Sequence, residues 1–241
     1  MSKVCLVTGG SNGIGEAVCE KFIHSGYRVY NFDIKPGAYG QFIECDVSSS
    51  EGIQQAMNRI SESECSIDHL VISAGVHFSG NVESTMTEDF ERVIGVNVKG
   101  AYLAIKESLP HMKNNGGSIV LVSSDQAFVG KKNSFAYNLS KSAVASMART
   151  VAIDYAPYNI RCNAVCPGTI DTPLYRNALT RASERLGKTF ESLHEDECNE
   201  QLLRRIGTAK EVADFVDFLC SEKAGFITGS LHSIDGGYTA I

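Results

Sequence analysis

Apolar runs of strand length recur along this chain of 241 residues, with helix-length segments between most of them. They cover residues 4–7, 28–33, 42–47, 69–73, 118–123, 160–166 and 231–234. Several are almost continuously apolar rather than alternating, as expected of strands covered on both faces. Strands of that kind alternating with helices predict βαβ units and a parallel sheet. The expected class is α/β: one doubly wound parallel sheet of about seven strands, flanked by helices.

The helices have readable signals. One is expected from about Ile14 to His24, directly after a glycine loop. Another follows Glu211, where Val212, Phe215, Val216 and Leu219 make an i, i+3, i+4, i+7 stripe. A third carries Tyr137 and ends near Ala156, because Pro157 cannot continue it. Between the second and third strands lies only "IKPGAYGQ", too short for a helical crossover, so a bare loop is expected. Residues 171–205 are long, charged and without strand signals, which suits a lid over a site or a helical surface excursion. No repeat, low-complexity tract or linker divides residues 1–241, so a single domain is expected.

Composition excludes several classes. The chain is 43% hydrophobic and 21% charged, an ordinary globular balance. No apolar run approaches the ~18 residues of a membrane span. The start "MSKVCLVTGG" has no basic stretch leading into an apolar segment with a cleavage site, so no signal peptide is expected. The net charge of −6, with no basic block, disfavours nucleic acid as a partner. Eight cysteines show no Cys-x-x-Cys pair, and six scattered histidines show no metal-ligand spacing. The expectation is reduced, packed thiols in a cytoplasmic protein, with no metal.

The first strand runs into Thr8-Gly9-Gly10-Ser11-Asn12-Gly13-Ile14-Gly15, which opens a helix. Glycines 9, 13 and 15 let the backbone turn tightly and approach a pyrophosphate, whose oxygens then face the helix amides. Asp33 ends the second strand, 18 residues past Gly15. A carboxylate there accepts hydrogen bonds from ribose hydroxyls and repels a 2′-phosphate. The loop from Gly9 to Gly15 holds no Arg or Lys, and Lys35 is the one nearby cation able to rescue phosphate binding. NAD is therefore expected over NADP.

Tyr137 and Lys141 are four apart in a predicted helix, so they share a face. A phenol titrates near pH ~10. An ammonium ~4 Å away, at an effective dielectric of ~20, contributes about 4 kcal/mol, enough to bring it towards neutrality against the opposing effect of burial. General bases work best near neutrality. The same spacing also suits a packed ring with a lysine stem laid across it.

The glycine loop, Ser124 and Tyr137-x-x-x-Lys141 together resemble the short-chain dehydrogenase/reductase family. Further matches are Asp46-Val47, Ala74-Gly75, Asn97 in "VNVKG", Pro167-Gly168 with Thr172, and Asp235-Gly236-Gly237. They span nearly the whole chain in the family's order. The resemblance implies a Rossmann-type fold, and it implies Asn97, Ser124, Tyr137 and Lys141 as catalytic residues. Ser124, 13 residues before Tyr137, has the family spacing for the serine that bonds the substrate oxygen, read here as a donor of the oxyanion-hole kind. The equivalent of Asn97 holds a water that links the lysine to solvent. The implied cofactor contacts are Gly9, Ser11, Asn12, Gly13, Ile14, Gly15, Asp33, Asp46, Val47, Ser73, Ala74, Gly75, Asn97, Tyr137, Lys141, Pro167, Gly168, Ile170 and Thr172. The reaction implied is interconversion of a secondary alcohol and a ketone, and the assembly implied is a homotetramer.

Two departures from the family pattern stand out. Ile72 and Ser73 replace a pair of asparagines before Ala74-Gly75, and the helix between the second and third strands is missing. His77, Asp125, Gln126 and Lys132 are the residues expected to face substrate. Their polarity suits a sugar, sugar acid, polyol or hydroxylated ring, although Asp125 and Gln126 serve equally well as caps of the following turn. A catalytically silent dinucleotide sensor and a reductase of a hydrophobic ketone remain as alternatives.

Overall fold

The computed structural model describes residues 2–240, so only Met1 and Ile241 of the expected 1–241 domain lie outside it. In chain order the strands are β1 (Val4–Thr8), β2 (Arg28–Asp33), β3 (Gln41–Glu44), β4 (His69–Ile72), β5 (Gly117–Val122), β6 (Ile160–Pro167), β7 (Ile170–Asp171), β8 (Gly207–Thr208) and β9 (Leu231–Ile234). The helices are α1 (Gly13–His24), α2 (Ser50–Ser61), α3 (Thr87–Ile94), α4 (Gly100–Met112), α5 (Phe135–Tyr155), α6 (Pro173–Leu186), α7 (Phe190–Glu200) and α8 (Ala209–Cys220).

Seven strands form one sheet in the order β3-β2-β1-β4-β5-β6-β9, and every pairing is parallel. The expected doubly wound architecture is therefore present. Strand side chains alternate between two core layers. Leu6, Leu70, Ile119 and Leu121 pack with Ile53, Met112 and Ala148 on the side of α2, α4 and α5. Cys5, Val7, Val71 and Val120 pack with Val18, Phe22, Val216 and Leu219 on the side of α1 and α8. Each Leu, Ile, Val, Phe or Met among them, fully buried, contributes about 1.5–3 kcal/mol. This two-sided burial is why the strand sequences read as continuous apolar runs.

The third strand stops at Glu44, short of the expected residue 47. The Asp46 carboxylate accepts from the Ser48 backbone N–H and hydroxyl, which turns the chain towards α2. The β2–β3 connection contains no helix. Residues 171–205 are mostly helical: α6 and α7 each bury one leucine, Leu179 and Leu193. A two-residue β7–β8 ladder, not expected from the sequence, closes the base of this excursion.

The chain leaves β1 towards β2 and β3 on one side and towards β4, β5 and β6 on the other. Such a switch point opens a crevice at the carboxyl ends of β1 and β4. On α5, Ala136, Ala145, Ala148 and Ala152 are buried. These small side chains let the helix lie close against β5 and β6, with its first turns at the mouth of that crevice.

Candidate active site

A cleft of about 1290 Å³ runs along the carboxyl edge of the sheet and against helix α6. One end is built by the glycine loop. Gly9 has φ +69°, and a β-carbon there would lie 2.6 Å from Ala74 Cα. A β-carbon at Gly15 would collide with the Gly9 carbonyl oxygen. The loop is thus a backbone-on-backbone contact that admits no side chain. Asn12, at the cap of α1, makes no side-chain hydrogen bond to the helix start. Its first-turn amides are left to face the cleft.

Asp33 closes this end. Its Oδ2 accepts from the Ser11 N–H at 3.1 Å and its Oδ1 from the Ile34 N–H at 2.7 Å. The two bonds fix the carboxylate and leave lone pairs for further donors. The bare loop, uncapped helix start and oriented carboxylate fit a nicotinamide dinucleotide. Ser11, Asn12, Gly13, Ile14, Lys35, Asp46, Val47, Ser73, Ala74, Gly75, Pro167, Gly168, Ile170 and Thr172 all line the same cleft. Gly15 lies behind its wall, where it packs on Gly9.

At the other end the chemistry-bearing side chains converge. Ser124 follows β5, and Tyr137 and Lys141 project from α5. The Lys141 ammonium donates to the Val122 carbonyl oxygen at 2.8 Å and lies 5.6 Å from the Tyr137 ring centroid. Burial draws the amine down to about 8. Burial first, and then the Asp125 carboxylate, push the Tyr137 phenol well above its ordinary value, against a smaller lowering by Ser124. The i, i+4 lysine by itself therefore does not bring the phenol towards neutrality. The lysine gives its hydrogen bond to backbone, and a buried carboxylate stands nearby.

Asn97 sits in the π-helical turn Gly95–Lys99 between α3 and α4, 2% exposed. Its side chain accepts from the Val76 N–H at 2.8 Å and donates to the Val76 carbonyl at 3.0 Å and the Ser140 hydroxyl at 2.9 Å. Its Oδ1 and the Lys141 Nζ both face the space that a β-carbon on Gly75 would fill, at 3.4 and 3.5 Å from that position. In this position it holds the Gly75-Val76 strand exit against α5.

Of the residues expected to face substrate, His77 meets the Tyr137 ring edge-on at 4.8 Å. Burial, with the Arg181 and Lys131 cations, lowers it to about 4, so it is neutral at physiological pH. Gln126 is committed within the protein: its Oε1 accepts from Ser134 at 2.6 Å and its carbonyl oxygen from the Asn138 amide. Lys132 lines the cleft. Its neighbour Lys131 is the one that approaches Asp125, with Nζ 3.5 Å from Oδ2. Sequence reasoning missed Lys131, because nothing local distinguishes two adjacent lysines in a loop. It also missed Tyr175, Arg181 and Arg185, which α6 contributes to the cleft wall. The described residues contain no cluster suited to a metal ion, and no helix among them is long and apolar enough to cross a membrane.

A family profile described as enoyl-(acyl carrier protein) reductase matches residues 9–239. A short chain dehydrogenase family protein from Francisella tularensis superposes with a TM-score of 0.95 at 39% identity over the whole of both chains. The aldohexose dehydrogenase of Thermoplasma acidophilum does so at 0.93 and 39% identity, over all of this chain and 95% of that one. The 2-(R)-hydroxypropyl-CoM dehydrogenase of Xanthobacter autotrophicus is 36% identical over the full length of both chains. An NADP-dependent (R)-specific alcohol dehydrogenase of Lentilactobacillus kefiri is 32% identical over 99% of this chain and 97% of its own. With a dinucleotide cleft, a Ser-Tyr-Lys cluster at its end and relatives of this length, the chain belongs to the short-chain dehydrogenase/reductase family and is an oxidoreductase of CH–OH groups.

Proposed function

We propose that the protein is an NAD(H)-dependent enzyme that interconverts a secondary alcohol and a ketone on a small polar molecule: a sugar, sugar acid, polyol or hydroxylated ring. The observation that carries this reading is the single cleft with Asp33 and the glycine loop at one end and Ser124, Tyr137 and Lys141 at the other. Asp33 selects NAD, because a fixed carboxylate accepts from a ribose hydroxyl and repels a phosphate.

A nicotinamide dinucleotide held in the cleft by the glycine loop, Asp33 and Lys141 would supply the hydride chemistry. In oxidation Tyr137 takes the substrate hydroxyl proton as the phenolate, and in reduction it returns that proton as the phenol. Lys141 stabilises the charge that forms there and, by its bond to Val122, keeps the helix face in place. Asn97 holds the Val76 backbone against Ser140 behind it. His77 and Lys132, with Arg181 and Arg185 on α6, give the substrate end polar walls. Such walls favour a substrate with several hydrogen-bonding groups.

The eight thiols are all unpaired, in keeping with a reducing, cytoplasmic setting. Exposed Tyr102, Leu139 and Ile153 on α4 and α5 support a homo-oligomer, a tetramer by family resemblance, built on these helices.

The test is absorbance of NADH during incubation of the protein with NAD⁺ or NADP⁺ and a panel of aldoses, polyols, hydroxy acids, trans-cyclohexane-1,2-diol, steroids and aliphatic alcohols. Turnover of polar alcohols with NAD⁺ is expected, and turnover confined to steroids or aliphatic alcohols refutes the polar pocket. Sedimentation velocity reads the assembly.

A further inference from the structure

Asp125 is a buried charge that the reaction outlined above does not use. It follows Ser124 directly and is 2% exposed. The Ser124 hydroxyl donates to its Oδ1 at 2.6 Å. The same hydroxyl oxygen accepts from the Gln126 N–H at 3.2 Å. A serine hydroxyl has one proton and two lone pairs. Its proton is therefore engaged, one lone pair is engaged, and a single acceptor position is left for Tyr137 or the substrate.

We propose that Asp125 is a positioning residue that commits Ser124 to accepting a hydrogen bond, so that the site grips an alcohol more tightly than the corresponding ketone. The inference rests on the alcohol–ketone reading above and deepens it. In the resting complex an alcohol accepts from the protonated Tyr137 hydroxyl and gives its one proton to the free lone pair of Ser124, turning it to Tyr137 only when that phenol has ionised. A ketone oxygen brings none, and must compete with a carboxylate for the serine proton. Charge-assisted O–H···O⁻ bonds of this length are about twice as strong as neutral ones. The ketone is thus left to the Tyr137 hydroxyl alone.

Lys131 makes the buried carboxylate tolerable. Its Nζ lies 3.5 Å from Asp125 Oδ2, an oxygen that is buried and has no hydrogen-bond partner among the described residues. The ammonium also lies over the Tyr238 ring, 4.4 Å from its centroid. Asp125 acts on titratable groups from several elements. Tyr137 lies on α5, Cys166 on β6 and Glu200 on α7. Tyr238 comes from the last turn. The Asp125 charge raises Tyr137, Cys166, Glu200 and Tyr238. It also contributes, with Glu197, to raising Lys131. Within this cluster Asp125 is the residue bonded to the Ser124 hydroxyl.

An enzyme cannot alter the equilibrium between alcohol and ketone, so the ratio of kcat/KM in the two directions is fixed at a given pH. The proposal therefore concerns how each direction divides between KM and kcat. The measurement uses trans-cyclohexane-1,2-diol with NAD⁺ and 2-hydroxycyclohexanone with NADH, on the full-length protein and on Asp125→Asn. The variant is expected to lower the ketone KM and raise the alcohol KM, each by roughly two- to tenfold, the range of one hydrogen bond. The shift should vanish when Asp125→Asn is introduced into Ser124→Ala, because Asp125 acts through that hydroxyl. Asp125→Ser serves if the asparagine variant fails to fold. A KM ratio that stays put in a folded variant, or moves equally without the serine hydroxyl, overturns the proposal while leaving the oxidoreductase reading intact. Absence of turnover by the unaltered protein across the whole alcohol panel overturns that reading, and the proposal with it.

Discussion

Lys141→Met should make the protein more stable at neutral pH while removing its activity. The amine is buried, and burial holds it near 8, against an ordinary value of 10.5. At pH 7 the protein must keep this group charged in a medium that disfavours the charge. The difference between the two values corresponds to a cost of about 3 kcal/mol. The folded value is depressed, so the unfolded chain binds more protons between pH 8 and 10.5, and stability rises with pH across that window. The lysine's cost is in full below pH 8 and gone above 10.5.

Methionine removes the titration but leaves the Val122 carbonyl without its donor, a loss of about 1–3 kcal/mol. The net gain at pH 7 is therefore about 1 kcal/mol. It should shrink by about 2 kcal/mol between pH 7 and pH 9.5, changing sign near pH ~9. Urea denaturation of both proteins at several pH values reads this. Taking the difference cancels the buried thiols, whose raised values act alike in both chains. A difference in stability that does not change with pH refutes the argument, because it means that the amine is not charged and buried together. Activity of the variant should fall by about 10²–10⁴-fold, the scale of general acid–base assistance.

Tyr137→Phe should remove most turnover and leave NAD⁺ binding, followed by isothermal titration calorimetry, within about twofold of the parent. The rate of alcohol oxidation should rise into the alkaline range, because the phenol is held above its ordinary value, and His77→Asn should leave that limb unmoved, since His77, held near 4, is already neutral there. Asp33→Asn should raise use of NADP⁺ relative to NAD⁺ by about tenfold or more, read as the ratio of kcat/KM. Gly15→Ala should weaken dinucleotide binding and lower the melting temperature, because the added methyl meets the Gly9 carbonyl; unchanged values of both would contradict the backbone contact described.

The parts of the fold that were legible are those in which local pattern and burial agree. Runs such as residues 4–7 and 118–123 read as covered strands because α-helices pack on both their faces. The third strand was misjudged at its end because Asp46 turns the chain through side-chain bonds that apolar content does not reveal. The β7–β8 ladder was invisible, since two residues on either side of a long excursion carry no periodicity.

In the active site, the identities and order of the parts follow from the chain alone: the glycine loop, Asp33, Ser124, and Tyr137 one helical turn from Lys141. Those features depend on spacing along one backbone element, which covalent geometry sets. How the parts are wired depends on the folded packing. It turned the Lys141 ammonium to Val122, placed Lys131 rather than Lys132 beside Asp125, and gave the Ser124 proton to that carboxylate. The direction of a hydrogen bond and the titration of a buried group depend on every neighbour within a few ångströms, and most of those neighbours come from distant parts of the chain.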